Sequence, residues 1–488
     1  HQQYILRKWY YMDPVTLGFV LYLILILGVG IYSARLTHSI KDFALGGNRL
    51  GPWVIAFSER ASGESAWLIL GLPGAALITG LLELWTVVGC VTGIIFSWLF
   101  IAKRLRVATE TYDALTLPEL FAKRFKDERG LLRILSSLII TFFFTFYVAA
   151  QFSGAGKVLN VTFGITEMQG MILGAVIIIL YTLMGGFLAV AWTDLIQGII
   201  MIGTLVILPL VAFIEINSLA DVNFKLDTAT LYAGKSGLAA LAATIGGLSW
   251  GLGYMGQPHL VTRFMAIDKP ENIKISRRIA ISWAVPAFFG SLLIGLTGFF
   301  LLESGSMVFE GKVLSSVASL SDPEKLMPIM AQNLLHPWVA GIFVSGAIAA
   351  MMSTADSQLL VSTTVLTEDL IANYFTWLKS RVDLLFVGRV LTVLIGLLAF
   401  YLSWKSTDLV FEMVSYAWGG LGASFGPALL LMLWWKRVSK SGIIAGMISG
   451  TLFTVVDVFG DWVTARFSAF VIAFTAVLVV SLLKPDKE

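Results

Sequence analysis

The sequence predicts an all-α polytopic membrane protein of about thirteen transmembrane helices, arranged as one domain over residues 15–483. Three observations predict it. Of 488 residues, 57% are hydrophobic and only 13% charged, the mean hydropathy is +0.84, and one apolar pattern recurs along the chain with no polar domain in between. That composition excludes a water-soluble globule. With a lipid bilayer as solvent, a spanning segment must satisfy its backbone polar groups internally, which makes each stretch a helix.

A hydrocarbon core of about 30 Å needs about 20 apolar residues per helix. The stretches that meet or approach this length are 15–35, 52–80, 81–102, 132–158, 167–188, 189–215, 236–263, 277–302, 337–367, 384–404, 411–435, 441–459 and 466–483. Residues 1–14, which begin at His1, are set apart as a segment open to processing. The first apolar run is longer than a signal-peptide core and leads into further spans, so it reads as a helix of the mature protein.

Positive residues stay on the cytoplasmic side. With the N-terminus outside, the inner loops and the C-terminal tail hold 24 Lys and Arg, including the clusters Lys103 to Arg133 and Arg263 to Arg278 and the pair Lys379 and Arg381, against nine outside. The expectation is a multi-pass protein of the cell (inner or plasma) membrane with its N-terminus outside and its C-terminus cytoplasmic. A net charge of +3 without a basic tail argues against nucleic acid as a partner. The single cysteine, Cys90, excludes a disulfide framework, and His1, His38, His259 and His336 are scattered, with no paired nucleophile or metal arrangement. An enzyme is therefore not expected, nor is an obligate protein partner inferred.

The second and seventh spans differ from the rest. The second carries Ser58-Glu59-Arg60-Ala61-Ser62-Gly63-Glu64-Ser65, and the seventh Gly246-Gly247-Leu248-Ser249-Trp250-Gly251-Leu252-Gly253. They lie five spans apart, so they enter the membrane from opposite sides, as the first helices of inverted repeats with interrupted helices do. Close packing through small residues is the alternative.

Glu59, Arg60 and Glu64 are each costly in hydrocarbon, about 2.5–3.5 kcal/mol on insertion scales. Two readings stand. Arg60 and Glu64, four apart, pair on one helix face, or the helix unwinds near Ala61 to Gly63 and frees carbonyls for a hard cation, with Ser65 and the following half-helix facing a carboxylate. In the ninth span, Ala350, Ser353 and Thr354 stand at i, i+3 and i+4, so a carbonyl and two hydroxyls converge from one face. These are oxygen ligands suited to a hard cation such as sodium, with no thiolate or imidazole to recruit zinc. Back-bonding of the hydroxyls to helix carbonyls is the equal alternative.

Several stretches resemble the sodium/solute symporter family, and its sodium/proline symporter branch in particular: Ser65-Ala66-Trp67-Leu68 with Gly71-Leu72-Pro73-Gly74, Gly185-Gly186-Phe187-Leu188-Ala189-Val190-Ala191-Trp192-Thr193-Asp194, Trp250-Gly251-Leu252-Gly253-Tyr254-Met255-Gly256-Gln257-Pro258-His259, Arg263-Phe264-Met265-Ala266, Met352-Ser353-Thr354 and Ser415-Tyr416-Ala417-Trp418. The resemblance implies a LeuT-like fold of two inverted five-helix repeats with broken first helices, here 52–215 and 236–435, flanked by 15–35, 441–459 and 466–483. It implies a sodium ion held by the carbonyls of Ala61, Glu64 and Ala350 and the hydroxyls of Ser353 and Thr354. A solute pocket of Ser65, Trp67, Tyr147, Trp250, Tyr254 and Pro258, with Glu64 near the substrate ammonium, is implied with it. Trp250, Tyr254 and Pro258 stand at i, i+4 and i+8, a stripe able to pack on a pyrrolidine ring or simply to fill the core. A second sodium, which some members bind, falls by resemblance on Asp194, Ser353, Asp356 and Ser357, unless the two aspartates lie apart.

The chain also departs from the proline branch. That branch has aspartate then methionine before the serine matching Ser65, where this chain has Gly63-Glu64, and it has small residues in place of Glu59-Arg60. A one-residue shift turns a helical side chain by about 100°. Glu64 is therefore open to three roles: binding the substrate ammonium, neutralising Arg60 or carrying a proton. The expected function is sodium-coupled import of L-proline. Another amino acid, a sugar acid or a carboxylate vitamin is the alternative within the class, and an ion channel or membrane sensor on the same scaffold the alternative outside it.

Overall fold

The computed structural model describes residues 13–35, 40–218, 231–375, 383–457 and 464–486. His1, His38, Lys379 and Arg381, named above, lie outside them. Pro14–Ala34 (α1) is the first pass. The second comes in two parts, Pro52–Gly63 (α2) and, after a π-turn at Trp67–Gly71, Leu72–Thr79 (α3). Leu84–Phe96 (α4) continues through another π-turn, Ser97–Ile101, into Ala102–Thr111 (α5), and Leu117–Arg124 (α6) is a short connector. Leu131–Phe163 (α7), Glu167–Met184 (α8) and Phe187–Ser218 (α9) complete the first half.

The seventh pass is again in pieces: Gly237–Leu248 (α10), Trp250–Gly253 (α11) and Pro258–Ala266 (α12). Ile273–Glu303 (α13) follows. The next connection holds a small antiparallel hairpin, Met307–Phe309 (β1) with Lys312–Leu314 (β2), and a helix, Leu326–Leu334 (α14), neither of which the apolar pattern announced. Pro337–Thr364 (α15), Leu384–Lys405 (α16), Val410–Trp434 (α17), Lys440–Val456 (α18) and Ala465–Leu483 (α19) close the chain.

Among the described residues, eleven segments are long and apolar enough to cross a membrane. One of them, Trp67–Thr111, has 45 residues and spans about 67 Å at 1.5 Å per residue, twice a hydrocarbon core, so it holds two passes. It turns at Gly80, whose φ of 64° suits a residue without Cβ. With the shorter Lys440–Val456, the segments make up the thirteen expected passes.

Local chemistry sets the ends. Proline at the first helical turn, where its missing N–H costs nothing, opens α1, α2, α12 and α15. Thr166 and Gln169 form a capping box at the start of α8. The third pass runs to Thr111, past the expected end at 102. Arg106 makes this possible, since it is buried and donates to the carbonyls of Ile267 (2.8 Å) and Asp268 (3.3 Å).

The glycines of the seventh pass do not unwind it. They let it touch its neighbour: a Cβ on Gly93 would lie 2.2 Å from the Gly251 carbonyl, and one on Gly251 would lie 2.2 Å from the Gly89 carbonyl. The backbone leaves the helix one turn later, between Tyr254 and Pro258. α15 is buried continuously from Phe343 to Thr364 and forms the centre of the bundle. Exposed apolar rows such as Leu21, Ile24 and Leu25 on α1 face outward, as a lipid-facing surface requires.

Candidate transport site

α2 ends at Gly63, and Glu64, at φ −104° and ψ 79°, leaves the helix. The unwound stretch is therefore Glu64–Ser65, slightly later than the Ala61 to Gly63 expected. The last carbonyls of a helix have no partner within it. α15 meets them with hydroxyls: Ser353 Oγ donates to the Ala61 carbonyl (2.9 Å) and lies 3.1 Å from that of Ala350, while Thr354 Oγ1 donates to the Ser62 carbonyl (3.0 Å). All these residues are fully buried. Five neutral oxygens thus gather between α2 and α15, a donor set that suits a hard monovalent cation. Ser62 belongs to the group although spacing on α15 could not point to it.

The unwound stretch is held from the side as well. Gln151 Oε1 of α7 accepts the Ala66 N–H at 3.0 Å. Before the break stands a buried ion triad. Arg60 donates to Glu64 (2.8 Å) and, through Nε, to Glu59 (2.6 Å), with its Nη2 also on Glu59. Trp98 Nε1 donates to Glu59 (3.2 Å), and the Tyr254 hydroxyl lies 3.1 and 3.3 Å from the two Glu64 oxygens. Of the three roles open to Glu64, its side chain is engaged in the pairing with Arg60.

On the other side of the break the aromatic residues assemble. Trp67 and Trp250 stack with centroids 4.5 Å apart, and Phe411 packs on Trp250 at 5.0 Å. Tyr254 meets Trp418 edge-on at 4.7 Å, and Ser65 Oγ donates to the Tyr147 hydroxyl at 3.4 Å. Trp418 ties the cluster together, donating to the Trp250 carbonyl (2.9 Å) and accepting from Gln257 on its own carbonyl (3.0 Å). Trp418 lies in one of the stretches that carried the family resemblance, so a signal for it existed. Phe411 had none. Pro258 stands apart: the chain unwinds before it, so it does not extend the Trp250 and Tyr254 face, and it borders Leu117, Ile140 and Phe187 instead.

The aspartate cluster lies about one turn further along α15. Asp194 Oδ2 accepts from Ser58 (2.6 Å) and Ser62 (3.0 Å), and Ser357 Oγ donates to the Ser353 carbonyl (2.7 Å). Arg263, on α12, enters this cluster and pairs with Asp194 at 3.1 Å.

A further ion group ties the hairpin-containing connection to α17. Glu324 accepts the backbone N–H groups of Val410 (2.9 Å) and Phe411 (2.8 Å), capping α17, and pairs with Lys157 at 2.5 Å. Burial pushes its carboxyl above the usual range, against the pull of Lys157 and the two amides.

Residues 43–450 match the profile of the sodium:solute symporter family. The osmoregulated proline transporter OpuE of Bacillus subtilis is 36% identical over 485 residues, covering 96% of this chain and 94% of that protein. The high-affinity proline transporter PutP of Bacillus subtilis is 37% identical over 93% of both chains, and the sodium/proline symporter of Escherichia coli 37% identical over 91% of this chain and 87% of its own. Among solved structures, a Na+-coupled sialic acid symporter in a substrate-bound, outward-open state superposes with a TM-score of 0.75 at 17% identity, covering 98% of this chain and 99% of that one. MhsT in complex with L-phenylalanine superposes at 0.54 with 16% identity, covering 88% of this chain and 97% of its own. At such identities the likeness concerns the fold, which is the LeuT-like arrangement.

Proposed function

The chain belongs to the sodium:solute symporter family, and from that premise we propose that it imports L-proline together with sodium across the membrane it spans. The observation that carries this reading is the meeting of Ser353 and Thr354 with the carbonyls of Ala61 and Ser62, beside a break whose other flank is aromatic. In this reading sodium is held by the carbonyls of Ala61, Glu64 and Ala350 and the hydroxyls of Ser353 and Thr354. The solute lies against Ser65, Trp67, Tyr147, Trp250 and Tyr254, with Glu64 at the edge of its pocket and Pro258, which faces Leu117, Ile140 and Phe187, outside it. An indole and phenol wall suits a pyrrolidine ring. The proline transporters among the relatives, similar over nine-tenths of the chain, support this solute over others.

The N-terminus lies outside in this reading, which the excess of Lys and Arg in alternate loops supports. The repeats are 52–215 and 236–435, and each opens with a pass that is interrupted. Sodium entering from outside ties α2 to α15, and rocking of the repeats then exposes ion and solute to the cytoplasm. Proline is a zwitterion and carries no net charge. One sodium entering across 100 mV releases about 2.3 kcal/mol, and a tenfold sodium gradient adds about 1.4 kcal/mol, enough for a solute gradient of a few hundred-fold.

Uptake of labelled proline into proteoliposomes, with and without an inward sodium gradient, tests the proposal. Saturable uptake that requires sodium is expected. Failure of unlabelled proline to compete, while another solute does, removes proline as the substrate.

A further inference from the structure

Arg263 makes an unusual set of contacts for a buried residue. Its Nε donates to Ser58 Oγ (3.1 Å) and its Nη1 to the His259 carbonyl (2.7 Å). Its Nη2 lies within reach of three oxygens at once: Ser357 Oγ at 2.5 Å, Ser62 Oγ at 2.8 Å and Asp194 Oδ2 at 3.1 Å. Arginine, aspartate and serines are all fully buried. A positively charged nitrogen ringed by one carboxylate and two hydroxyl oxygens stands where a bound metal cation would stand.

These are also oxygens that a second sodium would need. Asp194 Oδ2 and Ser357 Oγ are engaged by the guanidinium, and the Ser353 hydroxyl already faces Ala61 and Ala350. What remains is Asp194 Oδ1 and Asp356 Oδ2, two carboxylate oxygens that lack a hydrogen-bond partner among the described residues. Neither has a hydroxyl or carbonyl left from the set to complete a coordination shell.

We propose that Arg263 is the resident cation of this cluster, a tethered guanidinium in the place of a second sodium, so that the protein binds one sodium ion per chain. The residue reaches it from α12, the half-helix after the break of the seventh pass, and the oxygens belong to α2, α9 and α15. The cluster therefore joins four elements by charge without drawing an ion from solution. Motion of α12 relative to α2 must carry that charge with it.

The inference rests on the sodium-coupled reading, and equilibrium binding of radioactive sodium to the purified full-length protein separates the two. One ion per chain, saturating with a Hill coefficient of one, is expected. No saturable sodium binding overturns the sodium-coupled reading itself, whereas two ions per chain overturn only the resident-cation assignment. In Arg263→Ala, the vacated oxygens are expected to accept a second sodium, seen as two ions per chain, and millimolar guanidinium is expected to compete for that second ion alone. One ion per chain in a folded Arg263→Ala protein overturns the assignment. The charge-neutral double variant Arg263→Gln with Asp194→Asn guards against misfolding of the single variant. It is expected to keep one ion per chain with affinity within threefold of the parent, and loss of sodium binding in it overturns the proposal.

Discussion

Two oxygen clusters sit about one helical turn apart on α15, and they differ in how their charge is met. Around Ser353 and Thr354 the oxygens are neutral carbonyls and hydroxyls, with no charged group among the described residues bonded to them. Around Ser357 the cluster contains a carboxylate, Asp194, and a cationic side chain bonded to it. Neutral oxygens cost little to bury when they bond to one another, and they can exchange those bonds for a cation that comes and goes. A buried carboxylate is costly without a permanent partner. The lesson is that similar oxygen-rich sequence, four residues apart on one helix, is satisfied by neutral hydrogen bonds in one place and by an ion pair in the other, which leaves the first able to serve the exchange proposed for it. The Glu59, Arg60 and Glu64 triad belongs with the second kind, since its members are bonded to one another.

The largest effect is expected from the fixed kind. Arg60→Met leaves two buried carboxylates without their cation, and a loss of about 3–5 kcal/mol is typical of breaking such a group. Thermal unfolding in detergent should show a strongly destabilised protein. The neutral triple variant Glu59→Gln, Arg60→Met, Glu64→Gln should recover most of that loss; if it also transports normally, the triad is structural, and if it folds but does not transport, a charge in it takes part in the cycle.

Next comes the exchangeable cluster. Ser353→Ala removes the hydroxyl that faces both Ala61 and Ala350, and loss of one hydrogen-bonding oxygen is worth about 1–3 kcal/mol, so half-saturating sodium should rise roughly 5- to 150-fold in uptake assays. Unchanged sodium dependence would break the comparison. Ser357→Ala sharpens it from the other side: Arg263 keeps Asp194, so sodium half-saturation should move less than about threefold while stability falls by about 1 kcal/mol. A smaller, separate effect is expected in the aromatic wall. Trp67→Phe keeps a ring against Trp250 but loses indole area, about 1 kcal/mol, so half-saturating proline should rise several-fold with sodium dependence retained.

Much of the architecture was legible because lipid leaves the backbone so little choice: the thirteen apolar stretches match the thirteen passes counted among the described residues. The boundaries that moved did so for identifiable reasons. The third pass extends to Thr111 because Arg106 finds carbonyls on a distant segment. The seventh unwinds at Tyr254 to Gln257 because Pro258 starts a new half-helix, while its glycines serve close packing. At the site, the spacing of Ala350, Ser353 and Thr354 suggested three oxygens on one face of α15, and in the structure Ser353 meets the carbonyls of Ala61 and Ala350 and Thr354 that of Ser62. Spacing could not name Ser62, Gln151 or Phe411, since each acts from another element and none stands in a pattern of its own.

The sequence by itself determined the helical class, the number of passes, the two interrupted segments and, through its motifs, the family. Those features depend on local composition, the thickness of a bilayer and strings of adjacent residues. Spacing offered the Arg60–Glu64 pair as one of two readings, and only the tertiary structure chose it, set Tyr254 on Glu64 and brought Arg263 to Asp194, a residue 69 positions away. Beyond a single helical turn, electrostatic partners in a buried site are fixed by distance in space, and distance in sequence carries almost none of that information.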